Sequence, residues 1–299
     1  MRIEDLKAFV VLADVGTYHT AAEMLNITQP ALSRRIQKLE KILSTTLLVR
    51  STRRLRLTSA GLQFLEKIRP VVMDAETAIM EMHQTDMKWQ GLIRIACLPS
   101  IGIDMLPAIL RDLHGELPRV SFRIIDGNAL EIIQMLMSGQ VDIGIGMQLG
   151  QEAELSFTPL FHEEIGVVGH RDHPVTQMEH PRWSDLAAYP LAYNLGESGN
   201  RLILANHLEP RGIRLNWTHQ IQSLFGALMV ARSGIALAPA PSSFAAAASS
   251  RELVFCPVAE PLVERQLHLI ERKDTMRSSY LQKIIDLIET EAARRRSAA

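Results

Sequence analysis

The chain is poor in cysteine, and it lacks an apolar run long enough to cross a bilayer. Its 299 residues include two cysteines, Cys97 and Cys256, which are too few for a disulfide framework or a cysteine-based metal site. The longest weakly polar run, residues 235–248, is short and is interrupted by proline. The N-terminal MRIEDLKAF is acidic and amphipathic, unlike a signal peptide. We therefore expect a cytoplasmic protein with no membrane partner.

The chain also lacks a recognisable catalytic or metal-binding motif. The glycines of GIGMQLG, residues 144–150, have the wrong spacing for a phosphate-binding loop. His162 and Glu163 begin like a zinc-protease helix, but Gly166 stands where the second histidine would be needed. Ser198 lacks the flanking pattern of a hydrolase nucleophile. These absences predict a protein that is not an enzyme and holds no metal or cofactor.

Charge is nearly balanced overall but is unevenly placed along the chain. The formal net charge is −1. Residues 1–69 hold 12 lysines and arginines against 6 aspartates and glutamates, whereas the remaining residues hold 20 against 27. A basic front followed by an acidic remainder indicates nucleic acid binding at one end only. The length, together with 47% hydrophobic residues, indicates two or three packed domains.

Residues 20–40, TAAEMLNITQPALSRRIQKLE, are typical of two short helices joined by a turn. We expect Thr20 to cap the first helix, with Glu23 completing a capping box. Thr28 should cap the second helix, and Pro30 suits its first turn. The apolar positions Leu32, Ile36 and Leu39 mark an inner face, and the outer face carries Gln29, Ser33, Arg34, Gln37, Lys38 and Lys41. Such a face can reach phosphates and base edges, although an ordinary solvated surface helix has the same pattern.

The flanking segments complete a winged helix-turn-helix. Apolar residues recur at helical spacing before the two helices, and Gly16 can end that first helix. Behind them, residues 50–58, RSTRRLRLT, alternate arginine with leucine like a strand of a small hairpin. Arg53 and Arg54 would lie near the hairpin tip, where they could hold phosphate or enter the minor groove.

The N-terminal part closely resembles the LysR-type transcriptional regulators. The resemblance rests on Ala21-Ala22-x-x-Leu25-x-x-x-Gln29-Pro30-Ala31-Leu32-Ser33-Arg34-x-Ile36-x-x-Leu39-Glu40, then Leu47-x-x-Arg50 and Leu57-Thr58-x-x-Gly61. Ser44 and Leu48 depart from the family pattern, which usually has glycine and phenylalanine there. The resemblance implies sequence-specific binding to double-stranded DNA at a palindromic site, with Arg34 the best candidate for contacting guanine. The predicted DNA-binding residues are Thr20, Thr28, Gln29, Pro30, Ser33, Arg34, Gln37, Lys38, Arg53 and Arg54.

Residues 59–88 are predicted to form one long helix, which Pro70 should kink. Its apolar seam comprises Leu62, Leu65, Ile68, Val72, Ala75, Ile79 and Met82. The seam suits pairing with a second helix, and the family resemblance implies a linker helix that forms a dimer. The alternative is a helix that lies on its own domain. With a hinge expected near residues 84–91, the predicted domains are 1–58, 59–90 and 91–299.

From residue 92 onward, short apolar strands alternate with helices, which predicts a parallel sheet with helices on its faces. Strands are expected at 92–98, 120–126, 141–147, 165–168, 235–238 and 267–271, and helices near 104–113, 130–137, 199–207, 223–232 and 278–295. This α/β half resembles the periplasmic-binding-protein-like effector domain of the same family. The resemblance implies a lobe I of about residues 91–162 and 267–299 and a lobe II of about residues 163–266.

Ligands of such sheets bind beyond the carboxyl ends of the strands, near helix N-termini that attract anions. We therefore expect a small-molecule effector of unknown identity, for which an anion is one candidate. The predicted effector-binding residues are Pro99, Ser100, Ile101, Asn128, Met147, Gly196, Ser198 and Arg201. Arg201 could instead be an ordinary surface arginine. Cys97 is either a redox-sensing thiol or, more in keeping with its apolar neighbours, a small buried hydrophobe.

These features together predict a LysR-type regulator that binds double-stranded DNA and senses a small molecule between two lobes. The expected partners are the DNA, further copies of the chain in a dimer and a dimer of dimers, the effector, and RNA polymerase. Two alternatives stay open. A small-molecule-binding module without physiological DNA binding would not be retained on DNA at moderate salt, and an enzyme built on the α/β half would show turnover.

Overall fold

A computed structural model describes residues 2–49, 55–82, 91–117, 120–194, 199–221, 223–248, 252–274, 277 and 279–298. The chain forms two compact units, the first built chiefly from residues before position 90 and the second from those after it. Within the described ranges, no helix is both long enough and apolar enough to span a membrane.

The first unit combines three short helices with a two-stranded hairpin and a long helix. Its elements are α1 (Ile3–Val15), α2 (Tyr18–Met24), α3 (Gln29–Leu43), β1 (Leu48–Val49), β2 (Arg56–Leu57) and α4 (Ser59–Met82). Phe9, Leu12 and Leu32 have no exposed surface and lie at the centre of the core. Gly16 ends α1 with a φ of 73°, a conformation that glycine adopts without strain. The predicted first helix and hairpin are confirmed.

Thr17, rather than Thr20, caps α2. The hydroxyl oxygen of Thr17 accepts the backbone N–H of Thr20 at 3.3 Å, so Thr20 lies in the first turn. Glu23 lies 3.4 Å from the His19 side chain instead of completing a capping box. The predicted cap was wrong because Tyr18 and His19, which look like loop residues, extend the helix toward its N-terminus. Thr28 caps α3 as predicted, accepting the N–H of the third helical residue at 3.4 Å.

The first half of α4 packs on its own unit. Leu65 and Ile68 lie against the core of the three short helices, and Val72 is buried. Arg69 is buried as well and pairs with Asp14 of α1, with 2.6 Å between Nη1 and Oδ1. For these residues the prediction of a seam reserved for a second helix was wrong, because α1 presents an apolar surface that they cover.

Other apolar residues of α4 remain exposed. Leu62, Val71 and Ile79 are 52%, 51% and 53% exposed. The helix continues without a break past Pro70. The predicted extension of the helix to residue 88 and most of the expected hinge lie outside the described residues.

The second unit is built around a seven-stranded sheet flanked by helices. Its elements are β3 (Gly91–Cys97), α5 (Pro99–Asp104), α6 (Leu106–Glu116), β4 (Val120–Asp126), α7 (Ala129–Met137), β5 (Ile143–Gly146), β6 (Leu155–His170), α8 (Trp183–Leu186), β7 (Leu191–Asn194), α9 (Asn200–Leu208), β8 (Trp217–Ile221), α10 (Leu224–Arg232), β9 (Ala238–Pro241), α11 (Ala245–Ala248), β10 (Leu253–Cys256), β11 (Glu264–Arg272) and α12 (Ser279–Ala298). The strand order is β10-β6-β11-β5-β3-β4, and β9 also pairs with β6. β3 is parallel to β4 and β5, whereas β6 and β11 are antiparallel to each other.

Two lobes are joined by the crossing strands β6 and β11. Residues 155–164 of β6 pair with β11 in lobe I, which also contains β3, β4 and β5. Residues 165–170 of β6 pair with β9 and β10 in lobe II. The parallel pair β7 and β8 joins lobe II through a bridge between Leu191 and Leu237. The expected two-lobed α/β architecture is confirmed.

Several element boundaries differ from the predicted ones. β6 begins at Leu155 rather than at residue 165, because Pro159 and the polar residues before Ile165 hide the apolar pattern of a strand. β9 begins at Ala238 rather than at residue 235. The helix expected over 104–113 is divided at Met105 into α5 and α6. The strands β7, β8 and β10, which have four or five residues each, were not predicted.

Candidate functional site

The outer face of α3 is the candidate DNA-reading surface. Its opposite face is fixed to the core by three apolar side chains that are at most 1% exposed. The predicted DNA-binding residues in the described part are exposed, except for the half-buried Ser33; they are Thr20, Thr28, Gln29, Pro30, Arg34, Gln37 and Lys38. Arg53 and Arg54 lie outside the described residues.

The base of the hairpin is held by two side chains and one glycine contact. Glu40 Oε1 accepts the backbone N–H groups of Leu47 and Leu48 at 2.8 and 3.1 Å. The Thr58 hydroxyl accepts the N–H of Gly61 and donates to the carbonyl oxygen of Thr46 at 2.8 Å, and it also lies 3.3 Å from the carbonyl oxygen of Leu47. A Cβ at Gly61 would lie 2.1 Å from the same carbonyl oxygen. Glu40, Thr58 and Gly61 therefore set the position of the hairpin relative to α3 and α4.

Lys38 has an internal partner that the sequence pattern did not reveal. Its Nζ donates to Oδ2 of Asp5 at 2.9 Å, and the Asp5 side chain is only 5% exposed against 50% for Lys38. Burial alone would raise the pKa of Asp5. The hydrogen bonds from Lys38 and from the Arg2 N–H, with the charges of Lys38 and Arg35, outweigh it and lower that pKa below its ordinary value. Asp5 is therefore ionised at neutral pH.

A cleft of about 560 Å³ lies between the lobes of the second unit, at the carboxyl ends of β3 and β4. Its volume is in the range of small-molecule sites. Five predicted effector-binding residues line it: Pro99, Ser100, Asn128, Met147 and Arg201. Ile101 is fully buried in the core and does not line the cleft. Gly196 and Ser198 lie outside the described residues.

A buried arginine at this cleft bridges the two lobes. Arg265 of β11 donates through Nε to Glu163 of β6 at 2.7 Å, and both side chains are about 95% buried. Its Nη2 donates to Ser100 Oγ of lobe I at 2.7 Å, and its Nη1 donates to Asn200 Oδ1 of lobe II at 3.1 Å. The second Glu163 oxygen accepts the Ser243 N–H at 3.2 Å. The sequence analysis missed this network because its members are far apart in the chain and share no motif.

Aromatic side chains form part of the lobe II wall. The Tyr193 and Trp217 rings meet edge to face, with centroids 5.9 Å apart. The Arg201 guanidinium lies 4.7 Å from the Tyr193 ring centroid and 6.0 Å from that of Trp217, a cation–π arrangement. Phe225 of α10 also lines the cleft and is 62% exposed. Arg201 is therefore a stacked cation of the cleft.

The lobe I wall is polar and acidic. Asn128 and Glu131 cap α7 reciprocally, since the Asn128 N–H donates to Glu131 Oε2 at 2.8 Å and the Glu131 N–H donates to Asn128 Oδ1 at 3.0 Å. Asp126, at the end of β4, adds a second carboxylate to this wall. The two walls therefore differ in charge, with the Arg201 cation and aromatic rings on lobe II and carboxylates on lobe I.

The cysteines are not placed for thiolate chemistry. Cys97 has no exposed surface, and burial, aided by the negative charge of Asp126, raises the pKa of its thiol to about 12. Burial also raises the pKa of Cys256. Because the thiolate is the reactive form, both side chains behave as small hydrophobes at neutral pH. Among the described residues, no three histidine, cysteine or acidic side chains are grouped so as to hold a metal ion.

A winged helix-turn-helix unit together with a two-lobed unit that encloses a ligand-sized cleft defines a one-component transcription regulator. Family comparison agrees for both parts. Residues 3–62 match the bacterial regulatory helix-turn-helix proteins of the lysR family, and residues 88–293 match the LysR substrate binding domain. The chain belongs to the LysR family of DNA-binding transcriptional regulators with an effector-binding domain.

Relatives and solved structures extend the likeness over nearly the whole chain. The HTH-type transcriptional regulator YbhD of Escherichia coli is 28% identical, over 96% of this chain and 90% of that protein. A probable nitrogen assimilation transcriptional activator of Synechococcus elongatus is 28% identical, over 90% and 88%. A full-length OxyR variant from Pseudomonas aeruginosa has a TM-score of 0.76 at 22% identity, covering 98% of this chain and 94% of that one. CbnR in complex with its target DNA has a TM-score of 0.71 at 21% identity, covering 97% and 100%.

Proposed function

We propose that this regulator reads its DNA site with the outer face of α3 and is controlled by a small molecule bound in the interlobe cleft. The observation that carries the proposal is the Arg265 network, which touches both lobes at the wall of the cleft. A ligand that contacts this network engages both lobes, so its binding energy can favour one relative arrangement over another. A ligand held by one lobe alone would have no such effect.

On the DNA side, α3 presents the side-chain types that read base edges. Arg34 is exposed on the outer face, and its guanidinium can donate two hydrogen bonds to the O6 and N7 atoms of guanine. Gln29 and Gln37 flank it with amide groups. We assign sequence readout to these residues and phosphate contact to the hairpin arginines Arg53 and Arg54.

The effector that we propose is a small molecule with an anionic group and a flat apolar part. Arg201 supplies a stacked cation, and the Tyr193 and Trp217 rings supply the apolar surface beside it. The carboxylates of Asp126 and Glu131 on the opposite wall disfavour a second anionic end there and favour hydroxyl or amine groups. Peroxide sensing, which the names of some relatives mention, is disfavoured because both thiols are buried and protonated.

The remaining partners follow from membership of the family. We propose that the chain acts in the cytoplasm, associates with itself as a dimer and a dimer of dimers, and contacts RNA polymerase at its promoters. The exposed Leu62, Val71 and Ile79 of α4 are available for self-association. We propose that the cleft binds the effector without turnover, in keeping with the family's role in transcription regulation.

DNA readout is tested by selecting bound sequences from a random duplex pool and then measuring specific and random duplexes across a salt series. We expect a palindromic site. Arg34→Ala should lose discrimination between the two duplexes, by about 1–3 kcal/mol per lost bidentate contact. Arg53→Ala should weaken both equally and flatten the salt dependence. An equal loss on both duplexes for Arg34→Ala would contradict base readout by this residue.

Effector binding is tested by thermal shift of the full chain with a panel of small carboxylates, phosphates and their neutral amide or alcohol analogues. A binding anion should stabilise the unaltered protein and Arg211→Gln, which replaces an exposed arginine outside the cleft. The shift should be lost in Arg201→Gln. Equal shifts by the charged ligand and its neutral analogue, or in both variants, would contradict the assignment of an anionic group to Arg201.

A further inference from the structure

The ion pair between Asp5 and Lys38 lies at the border of the DNA-reading surface. Lys38 follows Arg34 by one helical turn on α3, so both side chains project from neighbouring positions of the same exposed side. Asp5 belongs to the first turn of α1 and is almost wholly buried. The 2.9 Å bond between them turns the lysine ammonium toward α1.

The buried carboxylate has few other partners in the described part of the chain. Its Oδ2 also accepts the N–H of Arg2 at 3.2 Å, which is an uncharged donor. The nearby cation Arg35 donates through Nη1 to the backbone oxygen of Glu4 at 3.4 Å. If Lys38 swung out to a phosphate, Asp5 would remain buried without its charged partner. A buried charge without a partner is strongly destabilising. The pair should therefore persist when DNA approaches.

We propose that Asp5 is a positioning residue, which holds Lys38 in an internal pair and so keeps one cation of each helix-turn-helix unit from contacting phosphate. Phosphate contacts add affinity for every sequence alike, whereas base contacts distinguish one sequence from another. Withholding a cation beside Arg34 therefore lowers the affinity for every duplex and makes binding less dependent on salt. This inference rests on the proposed reading surface of α3.

The test is Asp5→Asn in the full-length protein, with affinities for the selected site and for random duplexes measured across a salt series. Asparagine keeps the shape and the hydrogen bond from the Arg2 N–H but releases the lysine. We expect the slope of log affinity against log salt to steepen by about 0.9 per bound helix-turn-helix unit, which is roughly eightfold more affinity gained per tenfold dilution of salt. The ratio of specific to random affinity should stay unchanged, because a phosphate contact adds to both alike.

Two further variants show whether the effect passes through Lys38. Glu4→Gln makes the same charge change at the neighbouring exposed residue of α1 and should leave the slope unchanged. Adding Lys38→Met to Asp5→Asn should cancel the steeper slope. The proposal is overturned by an unchanged or shallower slope in Asp5→Asn, by an equal effect of Glu4→Gln, or by a double variant that keeps the gain.

The same series separates this inference from the proposed function. Unaltered protein that binds no duplex at low salt would overturn both the reading surface and the role of Asp5. Unaltered protein that selects its site normally, with no change on Asp5→Asn, would overturn the role of Asp5 alone. Circular dichroism of each variant at the assay temperature confirms that the measured protein is folded.

Discussion

Removing Arg265 should destabilise the second unit more than any exposed charge does. In Arg265→Met the Glu163 carboxylate stays about 95% buried but loses its cation, and Ser100 and Asn200 each lose a hydrogen-bond donor. Breaking a buried pair from one side costs about 3–5 kcal/mol. For a unit of roughly 200 residues, at about 2–4 °C per kcal/mol, the unfolding temperature should fall by about 6–20 °C.

Thermal unfolding followed by tryptophan fluorescence measures this loss, because two of the three tryptophans in the chain, Trp183 and Trp217, lie in the second unit. The matched control is Arg232→Met, which breaks a pair with Glu252 whose side chains are 67% and 49% exposed. That change should cost less than about 1 kcal/mol.

The double variant Glu163→Gln with Arg265→Met removes both charges and should recover most of the lost stability, since no bare carboxylate is left in the interior. Two results would refute the reasoning. One is a loss for Arg265→Met no larger than that for Arg232→Met. The other is a double variant that is less stable than Arg265→Met alone, which would mean that the glutamate is not stranded when its partner is removed.

Three smaller changes test other parts of the structure. Gly61→Ala would force a Cβ to within 2.1 Å of the Leu47 carbonyl oxygen, so circular dichroism melts should show a loss of about 1–3 kcal/mol in the first unit together with weaker DNA binding. Ser44 has a φ of 49°, which is strained for a residue with a Cβ. Ser44→Gly should therefore raise the free energy of unfolding by up to about 1 kcal/mol, even though glycine increases the conformational entropy of the unfolded chain. Burial lowers the pKa of His268. The stability that the neutral, buried ring contributes is therefore complete above the pKa of the unfolded chain, about 6.5, and is lost as the pH falls below that value. Urea unfolding at pH 7.5 and 5.5 should therefore show a smaller drop in His268→Gln than in the unaltered protein.

The helix-turn-helix could be read from the sequence because its determinants are local. Capping by Thr28, the apolar spacing within α3 and the glycine that ends α1 each involve residues within a few positions of one another. The error at Thr20 has the same origin. Two threonines three residues apart are both acceptable caps, and only the packing of Tyr18 against the core decides for Thr17.

The long strand β6 could not be delimited from its sequence, because it serves two sheets with different surroundings. Residues 165–169 are buried and include the apolar run IGVV, but the first half of the strand includes the exposed Pro159 and has no regular pattern of burial. The bulge opposite Leu267 and His268 lets the proline lie in the strand without breaking the pairing with β11. A local pattern therefore finds half of the element that joins the lobes.

The cleft shows the same limit more sharply. Pro99, Ser100 and Asn128 could be predicted as lining residues, because they follow strand ends in a parallel sheet. Arg265 could not, since it lies within the strand β11 and reaches the cleft only because the lobes meet there. Its role depends on partners 102 and 165 residues away, Glu163 and Ser100.

The first unit and the cleft should differ in how well they tolerate substitutions. Substitutions in the first unit disturb a tightly packed local core, where even a methyl group at Gly61 would clash with the Leu47 carbonyl oxygen. In the cleft, by contrast, Arg201, Trp217 and Phe225 stand on separate elements of lobe II and retain partial exposure. Such side chains can be exchanged without disturbing the buried Glu163–Arg265 pair. If the cleft holds the effector as proposed, the chemistry of the effector can therefore change by substitution of wall residues, while the buried pair that contacts both lobes stays in place.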